Sequence, residues 1–105
     1  MVWKISLSIE QQGGSSELRV EYSTELLIGR ESPADVVLAD SKISRRHCWL
    51  RVDPHGVTTV EDAGSAAGSY FNGALLRRAQ LFTEADELRV GTFTLKLTEP
   101  PSHDG

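Results

Sequence analysis

Three short segments of this chain carry residues that can bind an anion. The first is Leu26-Leu27-Ile28-Gly29-Arg30, an apolar run that ends in glycine and then delivers an arginine. Glycine permits a tight backbone approach, and a guanidinium fork suits bidentate contact with phosphate or carboxylate. The second is Lys42-Ile43-Ser44-Arg45-Arg46-His47. Ser44 offers a hydroxyl and a backbone N–H, Arg45 and Arg46 offer charge, and Ile43 reads as the anchor that pins the loop. His47 opens the next strand and is placed to bond within the loop and hold its shape. A small hydroxyl, backbone donors and adjacent cations are what a phosphate monoester requires. The third is Asp62-Ala63-Gly64-Ser65-Ala66-Ala67-Gly68-Ser69-Tyr70-Phe71-Asn72-Gly73. Its glycines and small residues imply a loop that turns sharply, with Asp62 or Ser65 bonding backbone groups inside it. Each segment also has a plainer reading: a strand end with a solvated arginine, a basic turn, and a structural loop closed by Asn72-Gly73.

Charge favours the anion reading. The 105 residues carry eleven Lys and Arg against fifteen Asp and Glu, a net charge of −4. Residues 29–52 nevertheless hold Arg30, Lys42, Arg45, Arg46 and Arg51 against Glu31, Asp35 and Asp40, a local +2 on a remainder of −6. A basic stretch on an acidic body suits a small anionic ligand and argues against a nucleic-acid partner. Other chemistry finds little support. Cys48 is the only cysteine, which excludes an intramolecular disulfide and a cysteine-rich zinc site. It reads as a small core residue. His47, Cys48, His55 and His103 make no metal-ligand spacing, so no metal and no cofactor is expected. Ser44, His47 and Asp62 sit on no nucleophile elbow, and no catalytic residue is expected. No apolar run reaches membrane-spanning length and no signal peptide opens the chain, so the expectation is a cytoplasmic protein with no membrane partner.

The elements that must position these residues have a period of two. Trp3, Ile5, Leu7 and Ile9 alternate with Lys4, Ser6 and Ser8; Leu18 and Val20 alternate with Arg19 and Glu21; Phe93, Leu95 and Leu97 alternate with Thr94 and Lys96. Each run reads as a strand with one buried face, which puts Trp3 and Trp49 in the core. Gly13-Gly14 and Gly91 lie between alternating runs and predict hairpins. No window gives a helix; the best, Leu75 to Ala85, has irregular apolar spacing, and Arg77-Arg78 reads as a solvated face. Many short strands predict an all-β antiparallel sandwich with its loops clustered at its ends. The loops that would carry a site are 31–35, 40–46 and 63–69. Residues 1–98 read as the domain. Residues 99–105, with Pro100-Pro101, read as a flexible tail or the start of a linker, so a monomeric module within a longer protein is expected.

Taken in order, Gly29-Arg30, Ser44-Arg45-Arg46-His47, Asp62-Ala63-Gly64-Ser65, Gly68 and Asn72-Gly73 resemble the forkhead-associated (FHA) domain. The resemblance spans about the central half of the chain. It implies a β-sandwich of two twisted sheets that binds a threonine-phosphorylated protein or peptide at one end, without catalysis, in signalling or regulated protein assembly. It assigns phosphate binding to Arg30 and Ser44, and phosphate or peptide contact to Arg45. His47 would support the site, Gly29 would shape the strand end, and Asn72-Gly73 would be a structural turn. Arg46 is expected to set a preference for acidic residues beside the phosphothreonine. One departure stands out. The family typically reads Ser-x-Asn-Gly where this chain has Ser65-Ala66-Ala67-Gly68. The family's asparagine fixes the peptide backbone and the Ala67 side chain has no polar atom to do so; Ala66 lacks the hydroxyl often found there. Such a loss weakens binding by about 1–3 kcal/mol. The phosphate half of the site is complete and the clamping half is reduced. The alternative expectation is a degenerate FHA scaffold that assembles with a partner independently of phosphorylation.

Overall fold

The computed structural model describes residues 2–22 and 24–103. Strand β1 (Trp3–Gln11) pairs along its whole length with β2 (Gly14–Tyr22), and Gln12-Gly13 makes the turn of the predicted hairpin. The second predicted hairpin joins β10 (Leu88–Val90) to β11 (Phe93–Leu97) across Gly91-Thr92. Between them run β3 (Glu25–Gly29), β4 (Val36–Val37), β5 (Cys48–Val52), β6 (Thr58–Asp62), β7 (Ser69–Phe71), β8 (Ala74–Leu75) and β9 (Gln80–Leu81); β12 (Ser102–His103) follows. The described residues contain no helix, and the irregular stretch from Leu75 to Ala85 holds the end of β8 and β9.

Two sheets form a sandwich. One has the order β12-β1-β11-β10-β7-β8, with β2 on the other side of β1; the second has the order β4-β3-β5-β6-β9. Strands β3 and β4 are parallel, and the other pairings are antiparallel. The alternating residues meet between the sheets: Ile5, Leu7, Leu88, Leu95 and Leu97 from one, and Leu26, Ile28, Cys48, Leu50 and Val60 from the other. Removing this apolar surface from water is the main force holding the sheets together.

Three expectations need correction. Trp3 is buried, but Trp49 is not a core residue. Cys48, Leu50 and Val52 take the inward positions of β5, so its register turns Trp49 outward. There the guanidinium carbons of Arg46 and Arg51 lie 5.4 and 5.5 Å from the centre of its ring, in cation–π contact. Ser69, expected in a loop, starts β7 and is buried. Within the expected tail, Ser102 and His103 pair with Lys4 and Trp3. The His103 ring sits edge-on to Trp3 at 4.5 Å, and Glu99 accepts a hydrogen bond from the Ser6 hydroxyl. The edge of β1 beyond β11 offers unpaired backbone groups, and this segment satisfies them. Asp104 and Gly105, the rest of that tail, and Met1 lie outside the described residues.

The connection from β4 to β5, that from β6 to β7 and the β10–β11 turn gather at one end of the sandwich. Ile43 packs against Gly91, and Thr92 donates its hydroxyl to Asp40 at 3.0 Å.

Candidate functional site

The site is built outward from the end of β3. A Cβ on Gly29 would overlap the carbonyl oxygen of Arg45. Only glycine lets the Ser44–Arg45 turn lie across the strand end. Hydrogen bonds then stitch the crossing: Arg30 N–H to Ser44 C=O at 3.1 Å, His47 N–H to Ile28 C=O at 2.9 Å, and Leu38 N–H to Gly29 C=O at 2.8 Å. The buried Ile43 is the predicted anchor of this loop.

On this frame the Arg30 guanidinium donates from Nη1 to the Ile43 carbonyl at 3.3 Å, with about a third of the side chain (35%) exposed. Arg45 is far more open and donates from Nε to Glu31 Oε1 at 2.8 Å. The Ser44 hydroxyl accepts the Ala66 N–H at 3.0 Å, which leaves its own proton to donate. The Ser44 backbone N–H does not face a ligand: it is spent on His47 Nδ1 at 3.1 Å. His47 is fully buried, and its Nε2 lies 2.9 Å from the Gly68 carbonyl. With Nδ1 accepting, Nε2 carries the proton and donates. One imidazole therefore ties the Ser44 loop to the 65–68 loop. It accepts no proton from the Ser44 hydroxyl and makes no hydrogen bond to Asp62, so these three residues do not form a nucleophilic triad.

Asp62 organises the third loop. Its carboxylate accepts the N–H groups of Gly64 and Ser65 and the hydroxyls of Ser65 and Ser69, the hydroxyl contacts being 2.6 Å each. Ser65 Oγ in turn accepts the Gly68 N–H. Burial pushes the Asp62 carboxyl up, but the donated hydrogen bonds outweigh it and hold the group below the ordinary carboxylate range. Next to it in register, burial pushes the Cys48 thiol up to about 12, so it stays a neutral core group.

Ala66 and Ala67 are exposed. Ala67 and Gly68 border a cleft of about 410 Å³ with Tyr70, Gly91 and Thr92, and Lys42 and Arg89 put two cations on its rim. Arg46 does not line this cleft, because its guanidinium lies over Trp49 on the outer face of β5. Asn72, at a φ of 51°, accepts the Glu87 N–H and donates to Asp86, so its amide ties the turn between β7 and β8 to the segment that leads into β10. Gly73 follows at positive φ in the same turn.

Two residues hold places at the site that the sequence reading did not assign to them. Glu31 lies beside both Arg30 and Arg45; nothing in Arg30-Glu31 signals that its carboxylate turns back to them. Arg89 comes from a distant strand, where Leu88-Arg89-Val90 marks it only as outward-facing.

Comparison with known proteins gives a consistent result. The model of the FHA domain matches residues 26–91. The chain is 36% identical over 74 residues to the oxoglutarate dehydrogenase inhibitor of Corynebacterium glutamicum, covering 70% of this chain and 50% of that protein. It is 39% identical over 77 residues to the glycogen accumulation regulator GarA of Mycolicibacterium smegmatis, covering 72% and 48%. The chain thus spans about half the length of these relatives. Among solved structures, the FHA domain of the CT664 protein from Chlamydia trachomatis superposes with a TM-score of 0.81 at 22% identity, covering 91% of this chain and 97% of that one. A domain solved for a structural and functional analysis of phosphothreonine-dependent FHA domain interactions gives 0.73 at 25% identity, covering 92% and 99%. From β3 to the β10–β11 turn, this chain belongs to the FHA domain family.

Proposed function

We propose that this domain is a non-catalytic reader of threonine-phosphorylated proteins, with Arg30, Ser44 and Arg45 holding the phosphate. One observation carries the reading. The Arg30 backbone is bonded to Ser44, its guanidinium rests on the Ile43 carbonyl, and the Ser44 hydroxyl keeps a free proton. A cation and a neutral donor are therefore fixed side by side before any ligand arrives. Phosphothreonine brings about −1.5 to −2 charge and three strong acceptors to such a site, and unmodified threonine brings neither. Membership of the FHA family supports the reading, as does likeness to a domain described by its phosphothreonine-dependent interactions. Relatives named as an inhibitor and a regulator fit a role exerted by protein binding.

Ala67 offers no side-chain clamp for the peptide backbone, so affinity rests on phosphate and on flanking charge. Lys42 and Arg89 on the cleft rim favour acidic residues in the partner, a role expected of Arg46 from the sequence. The same alanines favour a second reading, a scaffold that binds its partner without phosphate. Calorimetric titration with a degenerate phosphothreonine peptide pool and its unphosphorylated twin separates the two. The expected result is binding of the phosphorylated pool alone, abolished by Arg30→Ala. Equal binding of both pools, or of neither, favours the scaffold.

A further inference from the structure

Arg30 and Arg45 already share an anion in the free protein. Glu31 Oε1 lies 2.8 Å from Arg45 Nε and 3.9 Å from Arg30 Nη2. The backbone beneath it is tied down: Glu31 C=O accepts the Ala34 N–H, and Asp35 bonds Leu27 through both its N–H and its carboxylate. The side chain is about half exposed (52%), so it can swing into solvent while the loop stays in place.

We propose that Glu31 is a resident competitor at the phosphate site and makes that site demand a dianion. The inference rests on the phosphate reading given above. A carboxylate oxygen between two guanidiniums stands where a phosphate oxygen would bind. An arriving phosphothreonine displaces one negative charge and supplies nearly two, with more acceptors. An aspartate or glutamate of a partner exchanges one carboxylate for another and gains nothing, yet still loses the freedom of its own chain. Glu31 thus lowers affinity for every anion and lowers it most consequentially for carboxylates, so that acidic peptides do not pass for phosphorylated ones. An exposed ion pair is worth up to roughly fivefold in an equilibrium constant, which sets the scale of the effect.

The test compares wild type, Glu31→Gln and Glu84→Gln. Glu84 lies beside Val57 in a groove at the opposite end, so its change controls for net charge alone. Each protein is titrated with one peptide from the phosphothreonine pool in three forms: phosphorylated, with glutamate at that position, and unmodified. Inorganic phosphate is titrated in parallel against the Arg45 Nε–H resonance. Glu31→Gln is expected to bind the phosphopeptide roughly two- to fivefold tighter. It should also bind the glutamate peptide measurably, with Glu84→Gln matching wild type. Weaker phosphopeptide binding by Glu31→Gln would make Glu31 a residue that aims Arg45 and would overturn the inference. Unchanged binding, or equal gains in Glu84→Gln, overturns it as well. These outcomes leave the phosphate reading standing. Absence of any phosphate response in all three proteins, by peptide or by Arg45 resonance, removes that reading and the inference together.

Discussion

At Gly29 one missing methyl decides whether the Ser44–Arg45 turn can close over β3. The Arg45 carbonyl occupies the space a Cβ would take, and that carbonyl belongs to backbone already bonded at Ser44 and His47. Gly29→Ala therefore has to push the whole turn away from β3. Overpacking of this kind costs about 1–3 kcal/mol in stability. The effect on ligand should be larger, because the displaced turn carries Ser44 and Arg45. We expect a domain that still melts cooperatively, at a lower temperature, and that loses more than about tenfold in phosphopeptide affinity. Parallel thermal melts and titrations measure both. Loss of stability with full affinity would mean that the loop finds its shape without the strand end. The sequence displayed the residue types at this site but not how their atoms are spent. Ser44 looks like two donors, yet its N–H goes to His47. Arg46 looks like a partner of Arg45, yet it covers Trp49. Such allocations depend on which loop crosses which, and no single segment contains that information.

The strands were legible where one face alternates cleanly, as in β1 and in β11. They were not legible where both faces bear apolar groups, as at Cys48-Trp49-Leu50, or where a two-residue strand such as β12 exists only because an edge awaits it. The loop between β6 and β7 lies between these cases. Its glycines mark a turn, and Asp62 supplies the stiffness by accepting four hydrogen bonds. This has a pH signature. The folded carboxyl titrates below its unfolded value. Its contribution to stability is then fully present above the unfolded value, near pH 4, and is lost as pH falls through the lower, folded value. Asp62→Asn should destabilise the domain at neutral pH, and the gap from wild type should shrink below about pH 4. Denaturant melts across that range read the gap directly. A constant gap down to the acid limit would show that the amide fails for steric reasons rather than for want of charge. The cleft beside this loop makes a separate prediction. Lys42→Glu or Arg89→Glu should turn a preference for acidic flanking residues into one for basic residues on a peptide array, while Arg46→Glu leaves it unchanged.

As a whole the molecule is polarised along its 39 Å length. Because β5 runs from the Ser44 loop to the 53–57 turn, these two connections lie at opposite ends. The far turn packs Gly56 against Trp3, and Trp3 in turn holds His103. The β12 segment therefore closes the end of the sandwich most distant from the Ser44 loop. Its contribution is modest: a two-residue pairing, one edge-on ring contact, and the bonds of Glu99 to Ser6 and Arg19. Together these are worth about 1–2 kcal/mol after solvent screening. For a domain of this size that is a fall of roughly 4–16 °C in melting temperature. Truncation after Thr98 should produce that fall while phosphopeptide affinity stays within about twofold, since no bond of the site loops reaches β12 and distant sites usually act additively. A drop in both quantities would mean that the two ends are coupled through the sheets, and that the segment at the far end tunes the candidate site rather than merely capping the core.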